Sequence, residues 1–279
     1  MFPPAQTSVF CGVSGGADSV ALLALAVEAG LDATAVHVDH RIRESTGSEA
    51  EFVAEVANRL GANFRSVSVT VAPGSDLEQR ARIARHDALG PDALLGHTAD
   101  DQAETMLINL LRGAGLYGLA GITPDLRHPI LDLRRDETVG VCEHYGVVPF
   151  HDPSNDDPRF VRNRVRFELL PLMADIGQRD PVPLLVRTAE LARSTNADID
   201  KLASGLDPTD TKSLQTVPPT VAAAALREWL RDSLGHPPSF ADIVRVLTVV
   251  NCESIACEVS GGRRIARTEG ILRIEPVDR

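Results

Sequence analysis

Lysine is almost absent from this sequence of 279 residues. Of its 28 basic residues only Lys201 and Lys212 are lysines, and the other 26 are arginines. A Walker-type phosphate loop needs a lysine inside a glycine-rich loop, and neither of the two lysines lies in one. The sequence therefore excludes that class of nucleotide-binding site.

Paired cysteines are also missing. The four cysteines, Cys11, Cys142, Cys252 and Cys257, form no C-x-x-C pair, so neither a zinc ribbon nor a thioredoxin-type motif is predicted. Scattered thiols suit a reducing compartment, and residues 1–6 contain no basic targeting region. We therefore expect a cytoplasmic protein.

Positive charge and long hydrophobic runs are scarce. The 28 basic residues face 39 acidic ones, which gives a net charge of −11. This argues against a protein that coats nucleic acid non-specifically, because phosphate binding depends on a cationic surface. It leaves room for one local basic cleft. The apolar stretch at 20–27 is too short to span a bilayer, so no membrane association is expected.

The first hundred residues alternate apolar strands with helices. The predicted strands cover residues 8–13, 33–38, 64–69 and 93–96, and the predicted helices cover 19–29, 48–60, 75–89 and 100–111. Repeated strand–helix units with short connections predict a parallel sheet with helices on both faces, so the fold class is α/β and Rossmann-like.

The pattern loosens after Gly113. A fifth strand is predicted at 129–133, and helices are predicted at 135–145, 160–173 and 183–200. Residues 204–219 are rich in Ser, Thr, Asp and Pro and are interpreted as a linker. Two helices (220–233 and 239–249) and three short strands follow. The predicted domains are therefore 1–203 and a small α+β domain at 220–279.

A glycine-rich loop connects the first strand to the first helix. It consists of Ser14, Gly15, Gly16, Ala17, Asp18 and Ser19. An open parallel sheet binds ligands at the carboxyl ends of its strands, and the N–H groups of the following helix form an anion site. A carboxylate at Asp18 repels phosphate unless it holds a divalent cation, so Asp18 is a candidate Mg²⁺ contact. A plain glycine turn with a Ser/Asp N-cap is the alternative.

A second glycine pattern, G-x-G-x-x-G at 113–118, matches the dinucleotide-binding fingerprint. It follows a predicted helix instead of a strand, and no helix begins immediately after it. The fingerprint requires a strand before it and a helix after it, so we reject a dehydrogenase.

The loop at 14–19 resembles the SGGxDS loop of PP-loop ATP pyrophosphatases. Five further motifs occur in the order found in the tRNA(Ile)-lysidine synthetase family, and the resemblance covers about residues 8–173. They are HVDH at 37–40, GHTADDQAET at 96–105, RGAGLYGLAG at 112–121, DPSN at 152–155 and RNRVR at 162–166.

The resemblance implies a specific reaction. Family members use ATP to adenylate the C2 carbonyl oxygen of the wobble cytidine in the isoleucine tRNA with a CAU anticodon. The side-chain amine of free L-lysine then displaces AMP, which gives lysidine. The tRNA thereby changes its identity from methionine to isoleucine.

The resemblance also implies roles for individual residues. The ATP loop is 14–19, and His37 and Asp39 are expected beside the nucleotide or the reacting centre. For His37, a purely structural hydrogen bond is an equal alternative. Asp101 and Glu104 lie three residues apart on one helical face. They suit the lysine ammonium, and one of them could take its proton.

Several arginines are candidate contacts to phosphate or RNA. Arg112 closes the helix at 100–111, where a cation also suits the helix dipole. Arg159, Arg162 and Arg166 would form one stripe on a helix, with a solvated face as the alternative. The other expected substrate contacts are Arg82, Arg85 and Asn163.

Two rival functions remain open at this stage. A PP-loop tRNA thiolase would adenylate a similar carbonyl but would need reactive cysteines at the site. A nucleotide sensor would need the phosphate loop without Asp101, Glu104 and the RNxxR motif. The sequence leaves the oligomeric state open, and a homodimer is compatible with it.

Overall fold

The computed structural model describes residues 1–39, 46–69, 84, 87–150, 156–234 and 238–276. The chain divides into two compact units. The first unit comprises Met1–Ile108 and Gly121–Arg187, and the second comprises Asn109–Ala120 and Thr188–Arg279.

Strands and helices alternate in the first part of the chain, helices follow, and three strands come last. The strands are β1 (Ser8–Gly12), β2 (Asp32–Asp39), β3 (Asn63–Ser68), β4 (Ala256–Val259), β5 (Arg263–Thr268) and β6 (Ile271–Pro276). The described helices are α1 (Ala17–Glu28), α2 (Thr46–Leu60), α3 (Ala99–Leu111), α4 (Leu116–Leu119), α5 (Arg135–His144), α6 (Val161–Arg164), α7 (Leu170–Gly177), α8 (Val182–Ala203), α9 (Thr211–Gln215), α10 (Pro219–Leu234) and α11 (Phe240–Val250).

The first unit is built on a parallel sheet of order β1-β2-β3. Gly12 pairs with Val36, and His37 pairs with Ser66. Because side chains alternate along a strand, Ala33 and Ala35 pack with α1 and α2 on one face. Val36 packs with Leu89 in a separate cluster. The predicted parallel α/β sheet is confirmed.

The fourth predicted strand, 93–96, is reduced to one bridge. Leu94 pairs with Cys11 in parallel on the free edge of β1. The Leu95 N–H points to the side away from β1, where it donates to the carbonyl oxygen of Arg127 in a turn instead of a strand. The chain reaches the sheet edge at the predicted place but does not continue as a strand.

Two other predictions in this unit are corrected. Residues 129–133 form turns instead of a strand, since the N–H groups of Leu131 and Leu133 bond to carbonyls only three residues earlier. The helix predicted at 160–173 is interrupted, because a five-residue π-helix (Val165–Leu169) separates α6 from α7. Most of the helix predicted at 75–89 lies outside the described residues, and residues 84 and 87–89 are helical.

The second unit has its own core. The antiparallel sheet β4-β5-β6 packs on α11, and the core includes Leu226, Ile243, Val246 and Ile265. The two helices and three strands predicted after residue 219 are present.

The segment predicted as a linker, 204–219, belongs to the second unit. Leu214 is only 1% exposed in the core. The Thr211 N–H donates to the Gly270 carbonyl oxygen, and the Leu272 N–H donates to that of Thr209. A few buried apolar residues thus fix a segment whose composition is polar overall. In the described part of the chain, no helix is long and apolar enough to cross a bilayer.

Candidate active site

The glycine-rich loop lies where the parallel sheet predicts a ligand site. It follows β1 and leads into α1, whose N-cap is Gly16 and which receives no side-chain cap. The Ser19 hydroxyl donates to the Gly16 carbonyl oxygen at 2.8 Å, and the Ser14 N–H donates to the Ser19 hydroxyl oxygen at 3.2 Å. The first turn of α1 thus presents uncapped N–H groups, as an anion site requires.

Gly15 permits the turn that shapes this loop. Its φ angle is +90°, and a Cβ atom there would lie 3.2 Å from Cβ of Phe150. The Gly15 carbonyl oxygen accepts a hydrogen bond from the Phe150 N–H at 2.9 Å. The loop is therefore held from its far side and is open at the helix N-terminus.

His37 lies beside the start of this loop. It is 4% exposed on β2, and its Nδ1 atom is 3.2 Å from the Val13 carbonyl oxygen. Since a carbonyl oxygen can only accept, Nδ1 carries a hydrogen, and in the neutral imidazole Nε2 is then the acceptor. Among the described residues Nε2 has no hydrogen-bond partner. His37 thus makes the structural hydrogen bond and keeps one nitrogen for a ligand that donates.

Asp101 and Glu104 lie together on α3, as their spacing predicts. Ala103 and Leu107 of the same helix pack on Val165 and Leu170, which fixes the rotation of α3. Glu104 has no exposed surface. The N–H and hydroxyl of Thr98 both donate to one Asp101 oxygen, at 2.9 and 3.0 Å.

Arg162 and Arg166 close on this acid pair. Each donates its Nε–H to Glu104 at 2.7 Å. Arg162 also reaches Asp101 at 3.2 Å. The predicted stripe is therefore divided, because Arg159 instead pairs with Asp157 and its side chain is 86% exposed.

Arg135 completes the cluster and was missed by sequence reasoning. It is the first residue of α5, and its guanidinium lies 3.2 Å from Glu104, 3.4 Å from Asp101 and 3.5 Å from Asp18. A signal did exist, since an arginine in the first turn of a helix opposes the helix dipole and calls for a compensating partner.

Thr138 ties the same helix to the phosphate loop. Its hydroxyl, which is fully buried, lies 2.5 Å from Oδ1 of Asp18 and 2.8 Å from the Arg135 carbonyl oxygen. Both oxygens of Asp18 therefore face α5. No local pattern indicates this contact, because 120 residues separate Thr138 from Asp18.

The surroundings of Asp18 and Asp101 move the pKa values of these two carboxyl groups in opposite directions. Burial raises the pKa of Asp18, and the negative charge of Asp101 raises it further. The Thr138 hydrogen bond and the Arg135 charge lower it by less, so the pKa stays above its usual value. Burial also opposes ionisation of Asp101, but Arg162 and Arg135 outweigh it and hold that pKa below its usual value. Asp101 is thus firmly anionic, as a cation-binding group should be.

The remaining predicted residues lie in different places. Asn163 is buried and donates its amide to the Asp157 carbonyl oxygen, so it shapes the turn before α6. Asp39 ends β2. Arg112 belongs to the second unit and is exposed. Arg82 and Arg85 lie outside the described residues, as does the DPSN segment at 152–155.

Similarity to known proteins shows the class to which this chain belongs. Residues 2–173 match the family model of the PP-loop domain, so the first unit is an ATP-binding PP-loop domain. The tRNA(Ile)-lysidine synthase of Nocardia farcinica is 38% identical over 253 residues, which cover 85% of this chain and 80% of the relative. That of Rhodococcus erythropolis is 37% identical and covers 80% and 73%. The chain belongs to the tRNA(Ile)-lysidine synthase family, as its motifs predict.

A solved structure resembles the chain more distantly. A U34-tRNA thiolase from Methanococcus maripaludis superposes with a TM-score of 0.49 at 18% identity, over 68% of this chain and 73% of that one. A likeness at this level carries no argument about function.

Proposed function

We propose that this chain converts the wobble cytidine of the isoleucine tRNA with a CAU anticodon to lysidine, with ATP and free L-lysine as co-substrates. One observation carries the proposal. Asp18 of the phosphate loop and the acid pair Asp101 and Glu104 converge on one guanidinium, that of Arg135. A nucleotide bound at the loop is thereby placed next to a site for an ammonium group.

ATP binds with its phosphates at the N-terminus of α1. The N–H groups at the start of α1 and the Ser14 hydroxyl donate to the phosphate oxygens. The Ser19 hydroxyl would join them by giving up its bond to the Gly16 carbonyl oxygen. His37, through its free Nε2, accepts from a donor group of the nucleotide or the cytosine. Asp39 follows at the end of the same strand.

A magnesium ion fits this site as part of the nucleotide complex. The described residues hold no group of three His, Cys, Asp or Glu side chains able to bind a metal alone. Magnesium is usually held by one or two carboxylates together with substrate phosphates. Asp18 would supply the carboxylate, and the ion would neutralise phosphate charge beside it.

The chemistry follows in two steps. The C2 carbonyl oxygen of cytosine attacks the α-phosphorus of ATP, an O–P bond forms, and pyrophosphate leaves. Asp101 and Glu104 then hold the lysine ammonium, which displaces guanidinium contacts and gives up a proton to this carboxylate pair. The free amine nitrogen bonds to C2, the C2–O bond breaks, and AMP leaves with both bonding electrons. The departing phosphate oxygen takes the second proton that the new C–N nitrogen has to lose.

The tRNA is expected to contact the exposed cations. Arg112 and Arg159 are both exposed, whereas Arg162 and Arg166 are committed to Glu104. We assign Arg162 and Arg166 to the lysine site and leave the phosphate backbone to exposed arginines. Arg82 and Arg85 stay candidate substrate contacts.

The thiolase alternative is disfavoured by the state of the thiols. Burial raises the pKa of Cys11 to about 12, and burial together with the Asp18 charge raises that of Cys142 to about 11. A thiol must ionise to act as a nucleophile or a cluster ligand. Near neutral pH the two cysteines of the first unit are therefore held as protonated thiols, which disfavours nucleophilic sulfur transfer.

A product assay with labelled ATP tests the proposal. ATP labelled at the α-phosphate reports the adenylated tRNA and AMP, and ATP labelled at the γ-phosphate reports pyrophosphate. Each is incubated with the chain, with and without the tRNA and lysine. We expect pyrophosphate release to require tRNA and AMP release to require lysine, with ornithine, one methylene shorter, a poor substitute. ATP binding without pyrophosphate release in the presence of tRNA would instead identify a nucleotide sensor.

A further inference from the structure

Arg135 joins two groups of carboxylates that belong to different substrates. Its Nε atom faces Asp18 at 3.5 Å, and its two terminal nitrogens face Asp101 at 3.4 Å and Glu104 at 3.2 Å. Of the ion pairs formed within the described first unit, only those of Arg135 reach both the phosphate loop and α3. Its side chain is 28% exposed, so it can meet a ligand.

The neighbouring arginines have a narrower role. Arg162 and Arg166 pair with Asp101 and Glu104 and form no ion pair with Asp18. The three guanidiniums of Arg135, Arg162 and Arg166 thus balance three carboxylates. Of the three, Arg135 is the one that contacts both Asp18 and the acid pair on α3. Two residues near Arg135 in the sequence have partners of their own. Thr138 binds Asp18, and Arg134 binds Asp100.

The two substrates bring opposite charges to this guanidinium. ATP places phosphates at the loop beside Asp18, and a cation there attracts them. Lysine places an ammonium on Asp101 and Glu104, where it competes with the guanidinium for the same oxygens. Resting on the proposed function, we infer that Arg135 is a positioning residue that favours ATP at the loop and restrains lysine at the acid pair.

The inference predicts opposite effects on the two ligands. In Arg135→Ala the loop loses a cation and faces three carboxylates, so the dissociation constant for ATP rises about tenfold. The acid pair loses a competitor, so the dissociation constant for lysine falls several-fold. Arg135→Lys keeps the charge without the fork, and it should recover part of the ATP affinity.

Calorimetric titration of the full chain with ATP and, separately, with lysine makes the test. Arg134→Ala is the matched control, because Arg134 precedes Arg135 and pairs with Asp100 and Asp180 instead. Its two affinities should stay within about twofold of wild type. Thermal unfolding shows which variants fold, and Arg135→Lys should show the same opposed shifts at smaller size if Arg135→Ala does not fold.

Each other outcome overturns the inference. Parallel weakening of both ligands would indicate structural damage, and unchanged affinities would indicate no role. Failure of the proposed function is a separate result. A wild-type chain that binds both ligands but makes no lysidine contradicts the proposed function while the Arg135 test still stands, and a wild-type chain that binds no lysine contradicts both.

Discussion

Gly96 packs directly on the backbone of Asp18. A Cβ atom at Gly96 would lie 2.7 Å from the Asp18 carbonyl oxygen, a distance that atoms can reach only if one backbone moves. The glycine that opens the GHTADDQAET motif thus lets this segment lie against the first turn of α1. The phosphate loop and the acid pair are held together by this close approach.

Gly96→Ala should therefore displace the N-terminus of α1. We expect a loss of about 1–3 kcal/mol in the free energy of unfolding, typical of overpacking, and an ATP affinity at least about tenfold weaker, since 1.4 kcal/mol corresponds to tenfold. Gly140→Ala is the control. Gly140 lies exposed in α5 with nothing within 4 Å, so its substitution should stabilise the chain by about 0.5–1 kcal/mol. Wild-type ATP affinity in Gly96→Ala would contradict this account.

Thr138 should affect the reaction through Asp18. Thr138→Val removes the hydroxyl that lies 2.5 Å from Asp18, so that carboxylate loses a buried donor, at a cost of about 1–3 kcal/mol. We expect kcat for lysidine formation to fall about tenfold or more, a similar free-energy change. Thr138→Ser retains the hydroxyl and should restore most of kcat. Equal losses in Thr138→Val, which keeps the methyl group, and Thr138→Ser, which keeps the hydroxyl, would show that the hydrogen bond to Asp18 does not determine kcat.

Glu104 should be essential for stability as well as activity. Glu104→Gln leaves three partly exposed guanidiniums facing a fully buried neutral amide. Breaking a fully buried ion pair costs about 3–5 kcal/mol, which is an upper bound for this site. We expect a large drop in the free energy of unfolding, measured by urea denaturation, together with loss of lysidine formation. Glu168→Gln breaks the exposed pair with Arg164 and should leave both properties nearly unchanged. A Glu104→Gln chain as stable as wild type would rule out the buried cluster.

Asp101 gives a pH dependence with a definite sign. Its pKa is lower in the folded chain than its usual value of about 3.9, so the unfolded chain binds the proton more readily. The stability that Asp101 contributes is therefore complete above about pH 5 and is lost as the pH falls through its folded pKa. The difference in unfolding free energy between wild type and Asp101→Asn should be constant from about pH 5 to 7 and shrink below pH 4. A difference that grows on acidification would reverse the assignment.

Local patterns predicted much of the fold. Short apolar segments predict β1 and β2, period-two alternation predicts β3, and the predicted helix over 100–111 begins within one residue of α3. The spacing of Asp101 and Glu104 placed both acids on one helical face before any tertiary contact was considered. The G-x-G-x-x-G at 113–118 follows α3 directly instead of a strand, which agrees with the exclusion of a dehydrogenase.

Local patterns do not predict contacts between residues that are far apart in the sequence. The role of Arg135 depends on carboxylates 31, 34 and 117 positions away, and no local spacing encodes those pairs. The segment at 129–133 has strand-like composition, but turn hydrogen bonds satisfy its backbone. The segment at 204–219 is polar, yet Leu214 inserts into a core, and Leu206 and Val217 pack against that core.

The most direct measurement is the mass of the wobble nucleoside. The purified chain is incubated with ATP, Mg²⁺ and a CAU-anticodon isoleucine tRNA transcript, with and without lysine, and the tRNA is digested for mass spectrometry. The account predicts conversion of cytidine to lysidine only when lysine is present, and no conversion in Asp18→Ala. Unmodified cytidine from a chain that still binds ATP and lysine would contradict it.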